Sequence, residues 1–114
     1  MLLTKEAIFA AKDVNSKVID VPEWGIGAQI KIKAMSIKDQ LVYEKEVAAK
    51  KDESDIIFNM LILCCVDEDN KHIFDKKDIE LLKEKSSTAI LKVFNECLNI
   101  NSLDVDSVEK IAKN

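Results

Sequence analysis

The segment "VDEDNKHIFDKKD", residues 66–78, gathers more potential ligands than any other part of the chain. Asp67, Asp69, Asp75 and Asp78 fall at the first, third, ninth and twelfth positions of a calcium loop, where carboxylate oxygens would surround a hard cation. Lys71 at the fifth position, however, places a cation inside that shell. His72 stands at the sixth, where glycine normally makes the sharp turn, and Asp78 reaches less far than the usual bidentate glutamate. The residues suit a turn better: aspartate and asparagine hydrogen-bond their own backbone, and Asn70 tolerates the left-handed conformation. His72 is the sole histidine, and no Cys-x-x-Cys or second histidine stands at a zinc spacing. A zinc site would have to recruit Cys64 or Cys65.

Other chemistry lacks its parts. There is no serine or cysteine nucleophile motif, and Gly25 and Gly27 form an isolated G-x-G rather than a phosphate-cradling loop. Glu44 with Glu46 and Asp104 with Asp106 read as solvated helix or cap carboxylates. The sequence therefore assigns no catalytic, cofactor-binding or metal-ligating residue, and an enzyme is not expected. Cys64, Cys65 and Cys97 are odd in number, and a helix would aim the adjacent pair about 100° apart, poor geometry for a disulfide. They read as buried packing groups. Trp24, in a turn bounded by proline and glycine, suits either a lid on the core or an exposed anchor for a partner. Trp24 and Tyr43 are the candidate partner-binding residues.

Composition narrows the partners. The formal charge is −4 and all 17 basic residues are lysine, so the field repels polyanions and no arginine fork is present to grip phosphate or guanine. Nucleic acid is not expected. The longest apolar run, Ile56 to Val66, is broken by Asn59 and spans about half of the roughly 20 residues a membrane helix needs. "MLLTKEAIFAAKD" carries charge by its fifth residue and has no signal-peptide core, which points to a cytoplasmic protein that does not enter membranes.

The elements that hold these residues follow from periodicity. Thr4 caps a short helix through Lys12. Val18, "IDV" and "AQIKIK" alternate as half-buried strands, and "PEWGIG" turns between them. From Ser36 the period changes to that of a helix running to about Lys51, with Ile37, Leu41, Glu44 and Ala48 on one stripe beside Val47. "ESDIIFNMLILCCV", capped by Ser54, is apolar around its whole circumference and belongs at the centre of the fold. Asp75 opens a short helix. Ser86 or Ser87 opens a longer one whose stripe is Ile90, Leu91, Phe94, Cys97 and Leu98. "DVDSVEKIAKN" supplies a last, weakly anchored helix. The expected class is α+β, mainly α: a small N-terminal two-stranded antiparallel sheet packed on four to five helices. One domain spans 1–114, with a helix and β-hairpin over 1–35 and a helical body over 36–114.

Taken in order, "LTKEAI", "VPEWG" before an alternating strand, a helix starting near "MSIKD", "CCVDEDNKHIF", "DIELLKEKS" and "ILKVFNECLNIN" resemble the tail assembly chaperones of long-tailed, siphovirus-type bacteriophages and prophages. The resemblance runs nearly the full length. It departs at Gly25-Ile26-Gly27, where such proteins often read Gly-Gly after the tryptophan, and at Asn70, where Asp-Gly is usual. The resemblance implies a non-enzymatic assembly factor in the bacterial cytoplasm. It would coat the tape measure protein, keep it soluble until the tail tube forms, and meet the major tail protein through a longer frameshifted product. Members of that family can self-associate into spirals or rings. A small adaptor or regulatory domain that binds protein helices is the alternative, with a calcium sensor behind it.

Overall fold

The structure is a computed structural model and describes residues 1–49 and 52–113. Helix α1, Lys5–Ala10, begins where the Thr4 hydroxyl accepts from the Ala7 amide at 3.1 Å, as its sequence predicts. It buries none of its residues. Strands β1, Ser16–Asp20, and β2, Gln29–Lys33, pair antiparallel with Ile19 opposite Ile30. Alternation then sends Ile19, Ile30 and Ile32 to the core and leaves Val18 exposed on the other face.

The connection between them is a 3₁₀ turn, Pro22–Trp24, closed by Val21 N–H on the Ala28 carbonyl at 2.9 Å. Gly27, at φ +74°, holds a left-handed conformation that a larger residue adopts only with strain, and Ile26 points fully into solvent. The extra isoleucine between the glycines is thereby accommodated without entering the core.

Helix α2, Ile37–Ala48, is capped by the Ser36 hydroxyl, which accepts from the Asp39 amide. The part of its expected span at Lys50 and Lys51 lies outside the described residues, as does Asn114 of the last helix. Helix α3, Ser54–Cys64, includes Ser54 as its first residue rather than as its cap: Glu53 holds the cap position without a side-chain cap bond, and the Asp52 carboxylate accepts from both the backbone N–H and the hydroxyl of Ser54. Its central position matches its apolar circumference. Phe58, Met60, Leu61, Leu63 and Cys64 are buried, and the one buried polar side chain there, Asn59, donates to the Asp55 carbonyl at 2.8 Å.

The sheet has three strands, not two. Cys65–Val66 leave the end of α3 as β3 and pair antiparallel with β2, Ile32 opposite Cys65. The strand order is β1-β2-β3, so the helical body contributes to the sheet and the boundary expected at residue 35 is bridged by hydrogen bonds. The chain then passes through a 3₁₀ turn into α4, Ile79–Leu82, followed by α5, Ser87–Ile100, and α6, Val105–Lys113.

The sheet lies on α5, which touches β1, β2 and α3; α2 packs between α3 and α6. Ser86 caps α5 by accepting from the Ala89 amide. The buried stripe of α5 is Ala89, Ile90, Val93, Phe94, Cys97 and Leu98. Val93 therefore takes the place expected of Leu91, which is exposed. Lys17 to Glu96 at 2.7 Å and Lys92 to Glu23 at 3.1 Å tie the hairpin to the outer side of α5. At the end of α5 the Asn101 side chain accepts from the Met35 amide at 2.7 Å. It also donates to the Cys97 carbonyl at 2.8 Å and to the Cys64 sulfur at 3.4 Å.

Candidate partner-binding surface

The acidic segment is a tight reversal built on β3. Asp67 Oδ1 accepts from the amides of Asp69 at 2.8 Å and Lys71 at 3.0 Å, and Asn70 sits at φ 64°. These backbone N–H groups, that of Lys71 foremost, hold the Asp67 carboxyl below the usual carboxylate range. His72 bridges back to Val66, and the Ile73 amide reaches the Cys65 carbonyl. The segment is thus a hairpin-like turn continuing the sheet rather than a simple link between helices. Its leading ligand atom is already occupied by main-chain donors.

Asp75 and Asp78 make a reciprocal cap: Asp75 accepts from the Lys77 amide and Asp78 accepts from the Asp75 amide, both at 2.9 Å. Cys64, Cys65 and Cys97 are free thiols in the core. Hydrogen bonding to Cys64 and Cys65, together with burial, pushes the Cys97 thiol up, so it stays protonated. Among the described residues, no group of three or more histidine, cysteine or acidic side chains is arranged to hold a metal ion, and no helix is long and apolar enough to cross a membrane.

The unexplained features are apolar and lie on the surface. Along α2 the residues turned inward are Tyr43 and Val47, four apart. Of the residues read from sequence as one stripe, Val47 at its edge is turned inward, whereas Ile37 and Leu41 lie on the outer side, 74% and 58% exposed. Across from it, Ile111 of α6 completes a groove of about 400 Å³ lined by Leu41, Glu44, Lys45 and Ala48. Glu44 in the middle of that stripe is the sequence signal that it stays wet, since an unpaired carboxylate is costly to bury.

Tyr43, named from sequence as a partner-binding residue, is placed elsewhere. It is completely buried, and its hydroxyl donates to the Ile56 carbonyl at 2.9 Å. It has no surface to offer a partner. Burial pushes its phenol well above the ordinary tyrosine range.

Trp24 is half-buried and packs against the core, yet it also lines a cleft of about 370 Å³ with Glu23, Phe74, Leu82 and Lys85. It is a lid whose outer side remains at a groove. Its indole Nε1 is buried without a hydrogen-bond partner among the described residues. The cleft continues past Phe74 and Leu82 to Ile73 and Leu81, the latter 70% exposed. Sequence reading missed Leu81, Leu82 and Lys85, because a short helix offers too few turns for its faces to be told apart.

No protein-family model matches the chain. No curated protein matches it. Among solved structures, its fold is similar to that of the tail assembly chaperone of bacteriophage HK97, with 20% sequence identity, a TM-score of 0.57, and coverage of 83% of this chain and 90% of that one. Two chains so different in sequence share the same mainly helical α+β architecture, and the likeness is one of fold.

Proposed function

We propose that the chain is a phage tail assembly chaperone. It binds the tape measure protein, keeps it soluble while the tail tube is built, and associates with its own copies in doing so, within the cytoplasm of the bacterial host. A longer frameshifted product would engage the major tail protein. The observation that carries this reading is the fold shared with the HK97 chaperone over most of both chains. The surface supports it. Ile37 and Leu41, spaced by four residues, stand exposed beside a groove that Ile111 and Ala48 line together with Glu44 and Lys45, which suits an amphipathic helix laid against them. The reading is non-enzymatic, and the residues with chemical potential are engaged structurally: Asp67, Asp75 and Asp78 bind main-chain amides.

Co-expression with the tape measure protein of the same genome tests it. The chaperone is expected to raise the soluble fraction of that protein and to co-purify with it. Neither effect appearing would defeat the proposal. Leu41→Glu, at an exposed site, is expected to weaken capture at least tenfold while leaving the fold unchanged, because it places a charge in an apolar contact.

A further inference from the structure

Helix α1 folds but buries no residue, and Ile8 and Phe9 are half or more exposed, Phe9 at 78%. The radius of gyration, 15.1 Å, exceeds the roughly 13 Å of a compact domain this size, as a projecting segment would make it. A six-residue helix is too short to persist in water on its own merits, so its apolar side requires cover.

Elsewhere on the same molecule, the Trp24 cleft has the opposite need. Its floor is Phe74 and Leu82, and Leu81 and Ile73 extend it outward. Its carboxylates are occupied: Glu23 holds Lys92, and Asp78 accepts the Asp75 amide. What it leaves open is a cation, the ammonium of Lys85, which has no salt bridge among the described residues. On α1, Glu6 precedes Phe9 by three residues and so shares its face, and Glu6 likewise has no salt bridge among the described residues.

We infer that α1 of one copy seats Phe9 in the Trp24–Phe74–Leu82 cleft of a second copy, with Glu6 against Lys85. This rests on the self-association within the proposed function and names its contact. The two surfaces differ, so the contact is head-to-tail: each copy that offers an arm also offers an empty cleft, and assembly proceeds to rings or open filaments rather than stopping at a dimer.

Light scattering over a concentration series measures it on the full chain. Wild type is expected to grow in mass beyond a dimer. Phe9→Glu, on a residue outside the core, is expected to weaken association by about thirtyfold or more. Glu6→Lys and Lys85→Glu are each expected to weaken it by about tenfold. An equimolar mixture of the two charge variants restores assembly, because each arm then meets a cleft of opposite sign. A strictly monomeric wild type, assembly insensitive to Phe9→Glu, or a mixture that stays dissociated would each overturn the inference. So would variants that lose the tape measure protein yet keep wild-type mass, which would give the cleft to that partner. Capture of the tape measure protein by Phe9→Glu, with assembly lost, would leave the chaperone reading standing and support the arm-and-cleft contact.

Discussion

Replacing Tyr43 with phenylalanine separates two effects of one buried hydroxyl. At neutral pH the wild type keeps a hydrogen bond from the phenol to the Ile56 carbonyl at 2.9 Å, inside a fully buried site. Ile56 lies in the first turn of α3, so helical pairing assigns its carbonyl the amide four residues on, and the substitution orphans no acceptor. The loss is then that of a second, neutral hydrogen bond, about 0.5–1.5 kcal/mol. With a urea dependence of about 1–3 kcal/mol per molar, a loss of about 1 kcal/mol lowers the midpoint by roughly 0.3–1 M.

At high pH the order reverses. Burial, with a smaller contribution from the neighbouring Cys64, raises the phenol's pKa in the folded state. A group raised in this way gives stability that is complete below its unfolded pKa, about 10 for tyrosine, and is lost as pH climbs toward the folded value. Wild type therefore loses about 1.4 kcal/mol per pH unit once well above pH 10, whereas the phenylalanine variant does not. Lysine deprotonation affects both proteins alike and cancels in the difference. For a loss of about 1 kcal/mol the two stabilities are expected to cross about half a unit above pH 10, read by urea unfolding of both proteins from pH 7 to about 11. A gap that stays constant across that range would refute the account of Tyr43 as a desolvated phenol.

Substitutions at two further positions probe the turn after β3. Asp67 has its folded pKa lowered by main-chain donors, so its contribution is present above the unfolded carboxylate value and disappears as pH falls through the folded one. Asp67→Asn keeps an accepting oxygen without a titrating proton, and its urea midpoint is expected to depend less on pH than wild type below about pH 4. Asn70 at φ 64° predicts that Asn70→Ala costs about 1 kcal/mol and Asn70→Gly costs nothing or stabilises slightly, as measured by thermal unfolding.

The sequence was most legible where a single local rule decides the outcome. Thr4, Ser36 and Ser86 accept the amides that their positions before apolar periods predict, and the glycines of the "PEWGIG" segment mark a turn that the structure places between β1 and β2. It was least legible where two faces of one element compete. Helix α2 carries one apolar pair at Ile37 and Leu41 and another at Tyr43 and Val47; which pair turns inward is decided by α3, whose Ile56 carbonyl meets the Tyr43 hydroxyl. No window along α2 contains that contact. Strand β3 was hidden for a similar reason. Two residues continuing an apolar helix carry no alternation, and their pairing with Lys31 and Ile32 lies more than thirty positions away in the chain. Of the two aromatic candidates for partner contact, Trp24 lines a cleft because Phe74 and Leu82 arrive beside it from the far side of the turn.

Asn101 has a dynamic consequence. Its one carboxamide meets the exit of β2, the last turn of α5 and the sulfur at the end of α3. Fraying of that last turn carries Asn101 away from both Met35 and Cys64, whereas release of Met35 alone leaves the other two bonds in place. Loosening of the long helix at its end is thereby expected to lower the protection of the Met35 amide against hydrogen exchange.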